Sequence, residues 1–63
     1  MNTRIIGIDL AVTAAHKAIV LDQASNSYVS PVFRFHTDPA DLDDLLHTAR
    51  AGASEPVRLQ AVL

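Results

Sequence analysis

The chain has 63 residues, a formal net charge of −2 and no cysteine, so it forms one small domain at most, with neither disulfides nor thiolate metal sites. Its five basic residues are scattered along the sequence, which predicts no electrostatic surface for nucleic acid in this chain by itself. No apolar run approaches the roughly 18 residues of a membrane span, and Asp9 interrupts the only candidate signal-peptide core, so a cytoplasmic protein is expected.

The first element is a short apolar segment that carries one carboxylate near its end. Residues 4–11, RIIGIDLA, are rich in β-branched side chains, which is typical of a strand buried on both faces. Alternation places Asp9 on the face opposite Ile6 and Ile8. An isolated buried carboxylate is very costly, so Asp9 is expected to be solvated, hydrogen-bonded or bound to a cation. Two interpretations stay open, namely a metal ligand and a residue that ends the strand and starts a turn.

Two further strands are predicted to follow in an antiparallel meander. Residues 15–22, AHKAIVLD, form the second strand, and the short link at 11–14 makes it an antiparallel neighbour of the first. A polar turn comes next, in which Asn26 is the best candidate for a left-handed residue. The third strand covers residues 28–35, and Pro31 confines it to the edge of the sheet because proline cannot donate to a ladder.

The clearest predicted element is a helix from Pro39 to Ala51. Asp38 stands at the N-cap, and proline is favourable at the first helical position because its missing N–H would have had no partner. Arg50 in the last turn and Gly52 just beyond it supply a stop. Apolar residues recur at i, i+3, i+4 and i+7 and form one stripe, which consists of Leu42, Leu45, Leu46 and Ala49. Further carboxylates in the first turns suit the helix dipole and are interpreted as capping residues, namely Asp41, Asp43 and Asp44.

A fourth strand is predicted at residues 57–63, after a loop at 53–56. A helix between two strands implies a right-handed crossover, which places this strand parallel to the first. The predicted fold is α+β, with a three-stranded antiparallel meander, a crossover helix and the strand order 3-2-1-4. Nothing in the sequence covers the second face of this sheet or the new edge, so residues 1–63 are interpreted as the opening of a larger domain.

This order of elements, with a carboxylate on the first strand, resembles the start of an RNase H-like fold. The sequence most closely resembles the N-terminal part of the DEDD transposases, which are insertion-sequence enzymes with a RuvC-like domain. The matching segments are IGIDL at 6–10, AIVLD at 18–22, FHT at 35–37 leading into LDDLL at 42–46, and the strand at 57–63.

The resemblance implies metal-dependent DNA strand cleavage and transfer during transposition, a form of DNA recombination. Family members hold divalent metal with three Asp and one Glu, which suits two-metal phosphoryl chemistry. Their first Asp matches Asp9, so Asp9 is the one catalytic and metal-binding residue expected here, with Mg²⁺ as the ion. The Glu follows the fourth strand almost immediately, beyond Leu63, and the last two Asp lie much farther on. The 63-residue chain is therefore expected to be inactive by itself, whereas its parent acts on DNA and, in many members, with a guide RNA.

Two other kinds of function stay open. Actin-like ATPases and sugar kinases begin with the same order of elements, and the turn after their Asp holds phosphate through backbone N–H groups. In this chain the segment between Asp9 and Asp22 contains no Gly that would let the turn approach a phosphate closely, and only Thr13 offers a hydroxyl. The DEDD transposases commonly carry a small residue and then Lys about three positions after their Asp, whereas this chain has LAVT at 10–13.

A non-enzyme function is the other alternative. The chain is then a non-catalytic remnant or a small interaction module that oligomerises through the exposed edge of its fourth strand.

The remaining polar residues are assigned structural roles. The histidines lie on different predicted elements without paired ligand spacing, so surface or packing roles are expected for His16, His36 and His47. Asp22, at the end of the second strand, is interpreted as a turn starter.

Overall fold

The computed structural model describes residues 2–12 and 14–63 and shows a mixed β-sheet with one helix against it. The elements, in chain order, are β1 (Thr3–Asp9), β2 (His16–Asp22), β3 (Ser27–Tyr28), β4 (Phe33–Phe35), α1 (Pro39–Ala49) and β5 (Arg58–Val62). The sheet has the order β3-β2-β1-β5, with β4 also paired to β2 and β5 parallel to β1. The predicted α+β fold is confirmed, and β5 is its predicted fourth strand.

The predicted third strand is divided in two. β3 and β4 both pair antiparallel with β2. Ser30 and Pro31 lie between them outside the ladder, because proline has no N–H to donate. The prediction of one continuous strand over residues 28–35 is therefore corrected to two short strands, and both lie at the edge of the sheet.

Helix α1 covers one face of the sheet. The buried core lies between this face and the helix and consists of Ile6, Ala18, Val20, Phe35, Leu45 and Ala49. The opposite face, which we call the open face, carries the alternate side chains: Thr3, Ile5, Gly7 and Asp9 of β1, Lys17, Ile19 and Leu21 of β2, Tyr28 of β3, Arg34 of β4, and Arg58, Gln60 and Val62 of β5. None of these open-face residues is buried. The prediction that the first strand is buried on both faces is therefore wrong, because the helix covers only one of them.

The ends of α1 follow from its caps. Asp38 accepts a hydrogen bond from the Asp41 N–H at 2.9 Å, as expected of an N-cap. The helix ends at Ala49, before the predicted Ala51, with Arg50 as the C-cap. Gly52 then takes a φ of +73°, a conformation that glycine adopts without steric cost. Within the described residues, no helix has the length and hydropathy needed to cross a lipid bilayer.

The C-terminal end of α1 is held by a buried arginine on β1. Arg4 is only 7% exposed, and its Nε donates to Asp22 Oδ2 at 3.0 Å. Its Nη1 donates to the carbonyl oxygens of Ala49 at 3.0 Å and Ala51 at 2.7 Å. Carbonyls at a helix C-terminus lack helical partners, and the helix dipole makes this end negative. Arg4 therefore satisfies both the hydrogen-bonding groups and the charge, and joins α1 to β1 and β2.

Asp22 is expected to make the stability of the protein depend on pH. Hydrogen bonds from the Ser25 N–H and the Arg4 guanidinium lower the pKa of Asp22 from 3.8 to about 2. Because its pKa is lower in the folded chain than in the unfolded chain, the ionised carboxylate stabilises the fold above about pH 4, and this contribution is lost as the pH falls toward 2. We expect the free energy of unfolding, measured in urea, to decrease over this range.

The matched variant for this prediction is Asp22→Asn, which should show a shallower decrease with pH. Part of the dependence will remain because hydrogen bonds from the backbone N–H and the ring of His36 also lower the pKa of Asp41. An unchanged slope in Asp22→Asn would show that Asp22 does not contribute to the acid sensitivity.

Candidate functional site

Asp9 is the last residue of β1, and its side chain lies on the open face. β1 is an internal strand, with β2 on one side and β5 on the other. Asp9 is exposed and lies opposite Lys17 of β2, while Gly7, on the same face, lies beside Val62 of β5. The structure thus places Asp9 on the face that the alternation predicted, where solvent and ions reach its carboxylate.

A shallow pocket with a volume of about 430 Å³ adjoins Asp9 on this face. Gly7, Ile19 and Val62 belong to its lining and give it an apolar floor beside the Asp9 carboxylate. Gly7 contributes no side chain to this floor, and a Cβ added there would come to 3.7 Å from Ile19 Cγ2, an ordinary contact distance. An alanine at this position is therefore compatible with the fold and would only make the pocket shallower.

Three charged side chains form a row across neighbouring strands at this end of the open face. Lys17 of β2 lies opposite Asp9 of β1 on one side and opposite Arg34 of β4 on the other. All three residues are exposed. The two cations are far apart in the sequence, and only the strand register brings them together. We call Asp9, Lys17 and Arg34 the charged row.

A second group of potential ligands lies at the start of α1. One ligand atom from each of His36, Asp38 and Asp41 lies within 4.8 Å of the others. The His36 N–H donates to Asp41 Oδ2 at 2.7 Å, and His36 Nδ1 lies 3.1 Å from the same oxygen. Asp38 accepts from the Asp41 N–H. These contacts cap the helix, as the sequence predicted for the two carboxylates.

The place of His36 in this group was not predicted from the sequence. Paired ligands are expected at helical spacing, whereas His36 precedes the helix and meets Asp41 through a turn. The signal that identifies the group is the segment HTDPAD at 36–41, in which both carboxylates follow the histidine around an N-cap. Because its carboxylates already accept hydrogen bonds from the backbone, we assign the group to capping.

His16 connects the segment after Asp9 to the loop before α1. The Ala11 N–H donates to His16 Nδ1 at 3.0 Å, and His16 Nε2 lies 2.8 Å from Thr37 Oγ1. Since Nδ1 accepts a hydrogen bond, it carries no proton, and Nε2 is the protonated nitrogen that donates to Thr37. The ring also packs on Phe35, with their centroids 5.3 Å apart. His16 therefore has a packing role in this structure.

The remaining sequence predictions concern Thr13, Asp22 and His47. Thr13, the hydroxyl considered for the kinase alternative, lies outside the described residues. Asp22 accepts from the Ser25 N–H at 3.1 Å, as a turn starter does, and also pairs with Arg4, which the sequence did not indicate. His47 is exposed in the last turn of α1.

Comparison of the chain with models of known protein families, with curated proteins and with solved structures found no match.

Proposed function

We propose that this chain is the N-terminal part of the RNase H-like domain of a DEDD-type, RuvC-like insertion-sequence transposase. The parent protein cleaves and transfers DNA strands with Mg²⁺, in the cytoplasm; many members of that family also work with a guide RNA. The observation that supports this proposal is the position of Asp9, an exposed carboxylate at the end of an internal strand, on the face opposite the crossover helix. Two-metal phosphoryl chemistry needs such a carboxylate with others close to it.

The register of β1 and β5 shows where a second carboxylate fits. The two strands are parallel, with Thr3 beside Arg58 and Gly7 beside Val62. In a strand that continues past Leu63 in this register, the next residue lies beside Asp9, with its side chain on the open face. Neighbouring strands are about 4.8 Å apart, so carboxylates at these positions are close enough to share one divalent ion. In the family, the Glu follows the fourth strand almost immediately, which agrees with this position.

The chain by itself is expected to be inactive, because one carboxylate does not hold two metal ions. An assay for Mg²⁺-dependent cleavage of DNA should therefore detect no activity. Cleavage that disappears in Asp9→Asn would contradict this expectation and show that the residues present here form a complete site.

The geometry is tested by extending the chain by one residue. A glutamate appended after Leu63 should tighten binding of Mn²⁺ next to Asp9 on the order of tenfold, which corresponds to about 1.4 kcal/mol. Binding is measured from the paramagnetic broadening of backbone amide signals by Mn²⁺. The expected broadening centres on Asp9 and its neighbours across the sheet.

Two matched controls accompany this extended chain. An appended glutamine has the same shape without the charge, and an appended Gly-Glu pair moves the carboxylate to the helix-covered face. Neither should tighten Mn²⁺ binding, and Asp9→Asn should remove the gain from the appended glutamate. Equal affinities in all extended chains, or a gain that survives Asp9→Asn, would contradict the shared site.

The coding sequence beyond the codon for Leu63 tests the identity of the parent. The proposal requires a frame that continues, directly or after a frameshift, with a glutamate within a residue or two. A stop codon followed by unrelated sequence would contradict the transposase and favour a non-catalytic remnant or a small interaction module.

A second candidate function, binding of a partner strand, is supported by the edge of β5. β5 pairs with β1 on one side, and its other side has no partner strand among the described residues. The chain exposes 4464 Å², more than the roughly 3,950 Å² expected for a folded monomer of 6.8 kDa. Addition of a strand from another copy would cover this edge. Sedimentation should then show a concentration-dependent oligomer, and a monomer at all concentrations would count against this function.

A further inference from the structure

The charged row places two cations, Lys17 and Arg34, side by side, with its one carboxylate, Asp9, on the far side of Lys17. Lys17 and Arg34 are directly opposite each other on antiparallel strands. The Cβ atoms of such neighbours are about 4.5–5.5 Å apart, and like charges at these positions destabilise a sheet. Within residues 2–12 and 14–63, the ion pairs are Arg4–Asp22 and His36–Asp41, so neither cation of the row has a carboxylate within 4 Å.

The pairing of Lys17 with Arg34 destabilises the free chain and favours binding of an anionic ligand. Lys17 and Arg34 are exposed, so an anion can approach both from the open face. A lysine presents a compact charge, whereas the planar arginine group can bind two oxygens of one phosphate. Asp9 lies on the other side of Lys17. Divalent cations bind carboxylate and phosphate oxygens together, so a phosphate is compatible with a neighbouring Asp9.

We propose that Lys17 and Arg34 bind the phosphate backbone of the DNA strand on which the parent transposase acts. The inference rests on the proposed function, because that function supplies DNA as the ligand and a metal ion at Asp9. The two cations hold the strand across β2 and β4 and thereby position its phosphates beside the carboxylate on β1. They act as binding and positioning residues, and they contribute no base readout.

The test is a titration of the ¹⁵N-labelled chain with a short single-stranded oligodeoxynucleotide at low salt and without divalent metal. Backbone amide shifts should centre on Lys17 and Arg34 and on their neighbours in β2 and β4. Neutralising about two phosphates of a single strand predicts a slope of about −1.4 for the logarithm of the binding constant against the logarithm of the salt concentration. The double variant Lys17→Gln, Arg34→Gln should bring this slope close to zero.

The matched control is Arg50→Gln, which removes an exposed positive charge from the end of α1, away from the open face. It should leave the pattern of shifts unchanged and alter the binding constant much less than Lys17→Gln or Arg34→Gln does. The thermal midpoint of Arg34→Gln should equal or exceed that of the unchanged chain, because this variant relieves the repulsion between the cations. Lys17→Gln relieves the same repulsion but also removes the positive charge opposite Asp9, so its thermal midpoint should change little. A loss of binding in these variants is then not a result of unfolding.

Several outcomes would overturn the proposal. Shifts centred on Arg50 or Arg58, or equal losses in all three single variants, would show that binding follows net charge only. Tighter binding of a poly-glutamate peptide at the same residues would assign the row to an acidic protein partner. Inorganic phosphate that binds as tightly as the oligonucleotide would reduce the row to a simple anion site.

The proposal can also fail separately from the proposed function. If the appended glutamate creates a Mn²⁺ site at Asp9 but the oligonucleotide shifts no residue of the charged row, this inference is wrong and the metal site stands. If the oligonucleotide binds as expected but no extension produces a Mn²⁺ site, the charged row binds nucleic acid and the transposase assignment is contradicted.

Discussion

Arg4→Ala is expected to remove a large part of the free energy of unfolding. The substitution removes the donors for Asp22 and for the carbonyls of Ala49 and Ala51, in a side chain that is 7% exposed. Breaking a buried charged interaction by removing one partner costs about 3–5 kcal/mol. A chain of 63 residues has a total stability of only about 3–9 kcal/mol. The expected loss is therefore comparable to the whole free energy of unfolding.

Urea denaturation followed by circular dichroism measures this effect. Arg58→Ala is the matched control, because Arg58 is an exposed cation on β5, and its removal should change the stability by less than about 0.5 kcal/mol. Arg4→Lys should recover only part of the loss, since a lysine head group does not have the forked geometry with which Arg4 contacts both Asp22 and the helix carbonyls. Similar stabilities for Arg4→Ala and Arg58→Ala would contradict the role given to Arg4.

Leu45→Ala is expected to produce the second large loss, about 2–5 kcal/mol. The buried residues of α1 are Leu45 and Ala49, so Leu45 is the large side chain by which the helix packs on the sheet. It is 6% exposed and belongs to the core cluster with Val20 and Phe35. Truncation removes apolar contacts and leaves a cavity that the short helix does not fill completely.

The same helix offers controls with the same change of side chain. Leu42 is 39% exposed and Leu46 is 40% exposed, so Leu42→Ala and Leu46→Ala should each cost less than about 1.5 kcal/mol. The free energies of unfolding of the three variants, measured side by side, test the orientation of α1. Equal losses at Leu42, Leu45 and Leu46 would show that the helix faces the sheet differently.

The local elements of this protein could be predicted because their signals lie within a few residues of each other. Asp38 and Pro39 set the start of α1, and Gly52 takes a left-handed conformation shortly after the helix ends. Asn26 has a φ of +53°, as its place in a polar turn predicted. The alternation of side chains along β1 predicted that Asp9 lies on the face opposite Ile6 and Ile8, and the strand register has it there. The single crossover helix fixed the parallel pairing of the first and last strands, because such connections are right-handed.

The sequence did not show which apolar and charged residues meet. Leu42, Leu45 and Leu46 belong to one apolar stripe in the sequence, but only the packing of α1 on the sheet decides that Leu45 is the buried one. Arg4 has no local partner that would identify it as a buried residue, since the carbonyl of Ala49 lies 45 residues away in the chain.

The basic residues also differ between their spacing in the sequence and their positions in the sheet. By sequence they are scattered, and the expectation of no electrostatic surface followed from that spacing. The antiparallel registers of β2 with β1 and β4 place Lys17 between Asp9 and Arg34. The existence of the charged row thus depends on strand pairing, which no local pattern specifies.

The sequence by itself determined the first two strands, the start of the helix, the last strand, and the strand and face on which Asp9 lies, because caps, turns and alternation are set by neighbouring residues. The tertiary structure decided that α1 covers one face only, that Arg4 holds the end of the helix, and that Lys17 lies between Asp9 and Arg34. These contacts join residues far apart in the chain, and their positions are fixed only when the strands pair in register and the helix packs on the sheet.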